Sequence, residues 1–174
     1  MKNILVTGLP GTGKTTLIKQ VLNNLDIEKI GFYTEEIREK GERVGFKIVT
    51  FSGKEVILSH KDYATPYRVS KYYVSIENLE KIAVKEIEKG ISKKNCLIVI
   101  DEIGKMELIS ERFKKVVIYA FESPNKVLAT VMYKPEPFCD ILKKREDTKI
   151  FILDKTNFGI IKDNLVKQLT DKIK

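Results

Sequence analysis

The sequence is poor in the residues that build disulfides and histidine-based sites. It contains two cysteines, one histidine and no tryptophan. Cys96 and Cys139 lie far apart and lack the close spacing of metal-binding pairs, which argues against a disulfide framework or a cysteine zinc site. The single histidine, His60, argues against His-based metal sites and catalytic triads. We therefore expect reduced cysteines and a cytoplasmic protein.

Long apolar runs are also missing. No stretch approaches the roughly 20 apolar residues of a membrane span, so we expect no membrane association. The chain has 174 residues and lacks repeats, linkers and low-complexity segments. This organisation predicts a single domain over residues 1–174, and we expect it to act as a monomer.

The charge is unbalanced, with 32 Lys and Arg against 24 Asp and Glu and a net charge of +8. Such an excess fits either a nucleic-acid-binding surface or a solvated surface rich in Lys and Glu. The lysines are interleaved with glutamates, and basic clusters such as 93–94 and 143–145 are short. We therefore favour the solvated surface and keep nucleic-acid binding as the less favoured alternative.

Residues 8–15 match the phosphate-binding loop pattern G-x-x-x-x-G-K-[ST], between an apolar strand and a segment with helical apolar spacing. The glycines let the backbone approach an anion, and the following helix points its free amides at it. Lys14 is expected to reach the β- and γ-phosphates, and the Thr15 hydroxyl to bind Mg²⁺. A chance glycine-rich turn is the weaker alternative. The predicted nucleotide-binding residues here are Gly8, Leu9, Pro10, Gly11, Thr12, Gly13, Lys14, Thr15 and Thr16.

A second chemical feature follows the apolar run 96–100. Such a run is typical of a strand covered on both faces, and the acids Asp101 and Glu102 stand at its carboxyl end. Asp101 is the expected Mg²⁺ partner of the phosphate loop and a predicted nucleotide-binding residue. Glu102 is the expected catalytic group that orients and deprotonates a water near the γ-phosphate. Two surface acids at the end of a strand are the alternative.

The segment after these acids reads Ile103-Gly104-Lys105-Met106-Glu107. Gly104 lets the chain turn away from the sheet edge close to the nucleotide, and we include Ile103 and Gly104 among the predicted nucleotide-binding residues. Lys105 and Glu107 either contribute to the active site or are ordinary charges of an exposed loop. Both interpretations stay open at this point.

Three segments carry a family resemblance: 101–108 reads DEIGKMEL, 31–36 reads GFYTEE, and 45–53 reads GFKIVTFSG. Together with the phosphate loop, they make the chain resemble the thermophile-type nucleoside-triphosphatase family, which also contains the cancer-related nucleoside-triphosphatase. The similarity runs over nearly the whole chain. It implies a RecA-like α/β core that hydrolyses several nucleoside triphosphates slowly, with Mg²⁺ and loose base preference. It also implies that Asp101 and Glu102 are the metal-binding and water-activating residues.

The chain departs from the family pattern at two places. The last strand-to-helix turn, commonly Glu-Asn-Arg in that family, reads Lys-Thr-Asn-Phe over 155–158, so Phe158 replaces the arginine. The stretch 69–74 resembles the family's Val-Gly-x-Tyr-Gly-Val but lacks both glycines. Any role of the family's arginine at the nucleotide is therefore not carried over to this chain.

Apolar segments typical of strands alternate along the chain with segments of helical apolar spacing, and this alternation predicts an α/β fold. Specifically, we expect a P-loop NTPase fold with a RecA-like, mostly parallel sheet flanked by helices, plus an added antiparallel β-hairpin over 44–59. The predicted strands after the phosphate loop are 29–37, 44–51, 54–59, 71–75, 96–100, 126–131 and 150–153. The predicted helices are 76–90, from Ser110 to about Phe121, 138–145 and 157–173.

Phosphoryl transfer needs positive charge beyond Lys14 and the metal, and the chain has only five arginines. Arg145, before the last strand, is our first candidate for a catalytic residue that covers the nucleotide as a lid, ahead of Arg112. A surface role for each, or an arginine from a partner, is the alternative. Tyr133 and Phe138 are the candidates for contact with a base.

These features favour Mg²⁺-dependent hydrolysis of ATP, GTP, CTP and UTP to the diphosphate and phosphate. The catalytic residues are expected to be Glu102, Lys14 and Arg145, and the metal ligands Thr15 and Asp101. A small-molecule or nucleotide kinase on the same core is one alternative, although the scarcity of arginine argues against an acceptor pocket. A nucleic-acid-linked nucleotide switch, supported only by net charge, is the other.

Overall fold

The computed structural model describes residues 1–171 and is built around one nine-stranded sheet. The strands are β1 Asn3–Thr7, β2 Glu28–Glu39, β3 Glu42–Thr50, β4 Glu55–His60, β5 Arg68–Val69, β6 Tyr72–Val74, β7 Cys96–Ile103, β8 Lys126–Val131 and β9 Thr148–Ile152. The helices are α1 Lys14–Asn23, α2 Ile76–Asn78, α3 Lys85–Ser92, α4 Glu111–Glu122, α5 Pro137–Lys143 and α6 Phe158–Thr170. A π-helical segment, Leu79–Val84, joins α2 to α3, and a 3-10 turn spans Glu107–Ile109.

The strand order is β5-β6-β4-β3-β2-β7-β8-β1-β9. The five strands from β2 to β9 in this order are parallel to their neighbours. Their carboxyl ends therefore meet at one edge of the sheet, which is where open α/β sheets bind ligands. The α/β fold with a mostly parallel sheet is confirmed.

Helices cover both faces of the parallel strands. Along β7, Leu97 and Val99 point to a core shared with α1 and α6, whereas Ile98 and Ile100 point to a core shared with α3, α4 and α5. Successive side chains of a strand alternate between faces, so a continuous apolar run is buried on both sides. This is why the apolar run 96–100 predicts a central strand correctly.

The antiparallel part of the sheet is larger than the predicted hairpin. The hairpin itself is confirmed: β3 and β4 pair antiparallel around a turn at Gly53, whose φ is 92°. However, β2 also pairs antiparallel with β3 from Phe32 onward, and β6 and β5 continue the sheet beyond β4. The two-residue strand β5 was not predicted, because Arg68–Val69 is too short to show an apolar period.

Two helix predictions need correction. Ser75 caps its helix as predicted, accepting a hydrogen bond from the Asn78 amide at 3.2 Å, but the helix is not continuous over 76–90. A π-helical segment interrupts it, and Ala83 and Val84 are both buried there. The closing helix ends at Thr170, and the end predicted at residue 173 lies outside the described residues.

The cysteines are free and buried in the structure. Burial raises the pKa of both thiols, that of Cys139 to about 12, so neither is an activated nucleophile. Among residues 1–171, no helix has the length and apolar character needed to cross a membrane.

Gly31 provides a test of how tightly β2 is held against β7. Its φ is 132°, and a Cβ there would lie 2.0 Å from the carbonyl oxygen of Val99. Because that atom is backbone of a central strand, Gly31→Ala should lower the free energy of unfolding by about 3 kcal/mol or more. Gly159→Ala, in α6 with nothing within 4 Å of its Cβ, is the control and should stabilise by about 0.5–1 kcal/mol. Urea unfolding measures both, and equal stabilities of the two variants would contradict this account.

Candidate active site

Three neighbouring strands bring the predicted chemical groups to one edge of the sheet. β7, β8 and β1 lie side by side and parallel. At their carboxyl ends stand Asp101 and Glu102 on β7, Thr130 on β8, and the phosphate loop after β1. The sequence separations are large, so only the strand order makes these groups neighbours.

The loop of residues 8–15 has the backbone that its glycines allow. Gly11 and Gly13 have φ values of 79° and 92°, and Gly13 caps α1 in the left-handed conformation. Since α1 begins at Lys14, its unpaired amides face the loop. The Lys14 ammonium folds across the loop and donates to the Gly8 carbonyl at 2.8 Å. This is an anion-binding geometry.

The other predicted loop residues lie at the surface. Leu9, Pro10 and Thr16 are exposed. The Thr12 hydroxyl donates to the Leu9 carbonyl at 2.8 Å and closes the first part of the loop as a turn. The loop is therefore open to a ligand from solvent.

Asp101 is the buried centre of the site, with 1% of its surface exposed. The Thr15 hydroxyl of α1 donates to its Oδ2 at 2.7 Å, and the Thr130 hydroxyl of β8 donates to its Oδ1 at 2.5 Å. Burial raises the pKa of Asp101, while the two hydroxyl groups and the charge of Lys14 act in the opposite direction. One carboxylate thus joins the helix after the phosphate loop to the two strands beside it.

Thr15 and Asp101 together fit a magnesium ion. Mg²⁺ prefers hard oxygen ligands and takes only one or two from the protein, the rest coming from waters and phosphates. A hydroxyl and a carboxylate that already touch, next to an anion-binding loop, are such a pair. In residues 1–171 there is no group of three or more His, Cys, Asp or Glu side chains that could hold a metal, so these residues do not build a closed all-protein site.

Glu102 lies beside Asp101 and is partly buried. Burial is the main reason that its pKa is raised; Asp101 adds to this effect and Lys14 opposes it. A Cβ on Gly104 would lie 2.6 Å from its Oε1, so the missing side chain at Gly104 leaves room for this carboxylate. A carboxylate of increased basicity at this position can accept a proton from water.

The Ile103 side chain lies away from the predicted position, whereas nucleotide contact by Gly104 stays a prediction. The Ile103 side chain is fully buried in the core with α4, and its carbonyl accepts a hydrogen bond from the Met132 amide at 3.2 Å. The structure does not bring this side chain to the phosphate loop. Gly104 is buried next to Glu102, where it makes room for acidic side chains.

Arg145 lies at the opposite edge of the sheet. Its guanidinium binds the Asp147 carboxylate with two hydrogen bonds of 2.9 and 2.8 Å, which lower the pKa of Asp147 to about 2. The Asp147 carbonyl accepts from the Asn3 amide at 3.0 Å, at the amino end of β1, whereas the phosphate loop follows its carboxyl end. The expectation that Arg145 covers the nucleotide is therefore wrong, because the connection from α5 to β9 runs along the far edge.

The remaining candidates, Arg112, Tyr133 and Phe138, come after the carboxyl ends of β7 and β8 in the chain. Arg112 begins α4 and pairs with Glu80 at 3.5 Å. Phe138 is partly buried against the core. Tyr133 follows β8 and is 48% exposed, so its contact with a base stays a prediction.

Sequence reasoning missed Thr130. The signal was a single hydroxyl residue near the end of the apolar run 126–131. Its meaning depends on β8 lying between β1 and β7, which places the hydroxyl 2.5 Å from Asp101. The sequence pattern indicated the strand but not its neighbours.

The turn between β9 and α6 flanks the phosphate loop on the other side. The Phe158 ring lies 3.7 Å from the point that a Cβ on Gly13 would occupy. Asp154 Oδ1 accepts hydrogen bonds from the Thr156 amide and hydroxyl, both at 2.7 Å, and from the Asn157 amide at 3.1 Å. The Asn157 side chain accepts from the Asp154 amide and donates to the backbone at the end of β9.

Comparison with known proteins gives relatives over most of the chain. A family model described as NTPase matches residues 3–170. Nucleoside-triphosphatase THEP1 of Thermotoga petrophila is 49% identical over 166 residues, which cover 95% of this chain and 89% of the relative. The human cancer-related nucleoside-triphosphatase is 36% identical over 173 residues, which cover 90% of each chain.

Solved structures agree with these sequence matches. The crystal structure of THEP1 from Aquifex aeolicus has a TM-score of 0.87 at 33% identity, covering 97% of this chain and 99% of its own. The solution structure of a human cancer-related nucleoside triphosphatase has a TM-score of 0.85 at 32% identity, with both chains fully covered. The chain therefore belongs to the NTPase family of P-loop proteins that includes THEP1 and the cancer-related nucleoside-triphosphatase.

Proposed function

We propose that this protein is a Mg²⁺-dependent nucleoside-triphosphatase that converts ATP, GTP, CTP and UTP to the diphosphate and phosphate. The observation that carries the proposal is the contact of Thr15 with Asp101, 2.7 Å long, at the mouth of the phosphate loop and next to Glu102. Family membership supports the same activity.

Binding of the triphosphate would rest on the phosphate loop and on Lys14. The amides from Gly11 to Thr15 would hold the phosphate oxygens, and the Lys14 ammonium would exchange the Gly8 carbonyl for the β- and γ-phosphates. Thr15 and Asp101 would hold Mg²⁺. When bound, Mg²⁺ neutralises charge that develops on the phosphate oxygens.

Hydrolysis would use Glu102 as the general base. A water oxygen would bond to the γ-phosphorus as the bond to the β–γ bridging oxygen breaks, and the water proton would pass to the Glu102 carboxylate. The raised pKa of Glu102 supports this assignment, since it makes the carboxylate a stronger base than one in water. The short distance in sequence between Glu102 and the metal-binding Asp101 keeps base and metal together.

The nucleoside end of the substrate would lie on the side of β9 and α6. The γ-phosphate end is fixed by Asp101 and Glu102 on the β7 side, so the other end must leave past Phe158. In the turn there, the hydrogen bonds of Asp154 and Asn157 are made largely within the turn itself. Few polar groups remain to read a base, which supports loose base preference.

We infer further that residues 1–174 act as one cytoplasmic domain and as a monomer. The two free, buried cysteines support a reducing compartment. The groups proposed to bind the phosphates and the metal all come from one chain, which supports the monomer.

The first test is phosphate release from the four nucleotides with Mg²⁺. We expect slow release from all four, with kcat/KM values within about tenfold of one another, because few polar groups of the turn between β9 and α6 remain to discriminate the bases. The release should be unchanged when RNA is added. Phosphate transfer to an added acceptor with no release to water would instead identify a kinase, and release only with RNA would identify a switch.

Glu102→Gln tests the general base. The variant should bind nucleotide as the wild type does but lose turnover by about 10²-fold or more, because the amide cannot accept the water proton. Lys14→Ala should instead lose nucleotide binding. A fluorescent nucleotide titration with turnover measurements separates the two effects, and full turnover in Glu102→Gln would remove the base role from this residue.

Thr130→Val tests whether the hydroxyl positions Asp101. The side chains have the same shape, but the variant leaves the buried Oδ1 without its 2.5 Å donor. We expect a loss of about 1–3 kcal/mol in unfolding free energy and a 10-fold or larger rise in the Mg²⁺ concentration needed for half-maximal turnover. Thr170→Val, at the exposed end of α6, is the matched control. An unchanged Mg²⁺ requirement in Thr130→Val would contradict the assignment.

A further inference from the structure

Glu107 is a buried carboxyl group that the proposed reaction does not use. It begins the 3-10 turn after β7 and is 5% exposed. Its Oε2 accepts a hydrogen bond from the buried Gly104 amide at 3.2 Å, and the Leu108 amide donates to the Gly104 carbonyl at 3.0 Å. These contacts fold the turn back toward the end of β7. Carboxyl groups are rarely so buried unless they are paired.

The Glu107 and Glu102 carboxyl groups both lie close to Gly104. A Cβ on Gly104 would lie 2.6 Å from Glu102 Oε1 and 3.3 Å from Glu107 Oε2. The two oxygens therefore cannot be further apart than the sum of these distances. The absence of a side chain at Gly104 leaves room for both carboxyl groups next to this residue.

Negative charges on both of these carboxyl groups would repel each other. The ionisable groups whose charges raise the pKa of Glu107 are Glu102 and Asp101, which are both acidic and both lie on β7. The positive charge of Lys14 lowers the pKa of these two acids, but it is not among the charges that change the pKa of Glu107. Burial, assisted by Glu102, raises the pKa of Glu107 to about 8.

We propose that Glu107 is a positioning residue that stays a neutral carboxylic acid. One of its oxygens accepts a hydrogen bond from the Gly104 amide, and its hydroxyl group donates a hydrogen bond to the Glu102 carboxylate. This inference rests on the proposed function, since it assigns a task at the same active site. The hydrogen bond fixes the orientation of Glu102 while leaving it free to accept a proton from water. Glu107 itself does not touch the substrate.

Isosteric substitution distinguishes the role of Glu107 from that of Glu102. Glu107→Gln keeps the shape, the neutral state, an acceptor for Gly104 and a donor for Glu102, so its kcat should stay within about threefold of the wild type. Glu107→Ala removes both contacts and should lower kcat by about tenfold or more with KM nearly unchanged, because Glu102 loses its orientation. Glu111→Gln, an exposed position at the start of α4, is the control.

A second measurement does not depend on activity. The wild type gains stability from protonated Glu107 below the ordinary carboxyl pKa, and this gain is lost as the pH rises to about 8. Glu107→Gln does not titrate, so its Tm relative to the wild type should rise by about 5 °C or more between pH 5 and pH 8 and then level off. Glu111→Gln should show no such change.

The outcomes distinguish this proposal from the proposed function. If Glu107→Gln lost turnover as severely as Glu102→Gln, or if its Tm difference were flat with pH, the neutral positioning role would be overturned. Full kcat in Glu107→Ala would also overturn it. If the wild type released no phosphate but the Tm difference followed the expected pH dependence, the proposed hydrolysis would fail while the neutral state of Glu107 would stand.

Discussion

The structure depends on the burial of the Asp101 carboxylate between two hydroxyl groups. Thr15 comes from the helix after the phosphate loop and Thr130 from the strand between the loop and β7, and both donate to Asp101. A buried carboxylate is costly unless it is hydrogen-bonded, so these donors must lie where they do. The requirement links the order of β7, β8 and β1 to the geometry of the phosphate loop.

The site concentrates acidic side chains at the carboxyl end of one strand. Asp101, Glu102 and Glu107 lie within seven residues of sequence at one end of β7, and burial raises the pKa of all three. Lys14 is the cation that opposes the charge of the first two. Such an arrangement costs stability in the isolated protein, and binding of a cation or of a proton relieves it. Sites that violate the rules of stable packing in this way are often functional.

Local patterns predicted elements well where the apolar period was long. The run 96–100, the strand 126–131 and the hairpin over 44–59 were predicted correctly, because alternation or continuity of apolar residues depends only on which faces are covered. The π-helical segment Leu79–Val84 and the short strand β5 were not, because neither has a period that distinguishes it from its surroundings. The antiparallel extension was underestimated for a related reason: β2 changes partner at Phe32 without any change in its pattern.

The sequence by itself determined the phosphate loop, the acids after the central strand and the alternation of strands and helices, since each is encoded within about ten consecutive residues. Tertiary structure alone decided which distant groups meet. It placed Thr130 against Asp101, Glu107 beside Glu102, and Arg145 against Asp147 at the far edge of the sheet. Strand order and burial fix these pairings, and both arise from the packing of the whole core, which no single segment specifies.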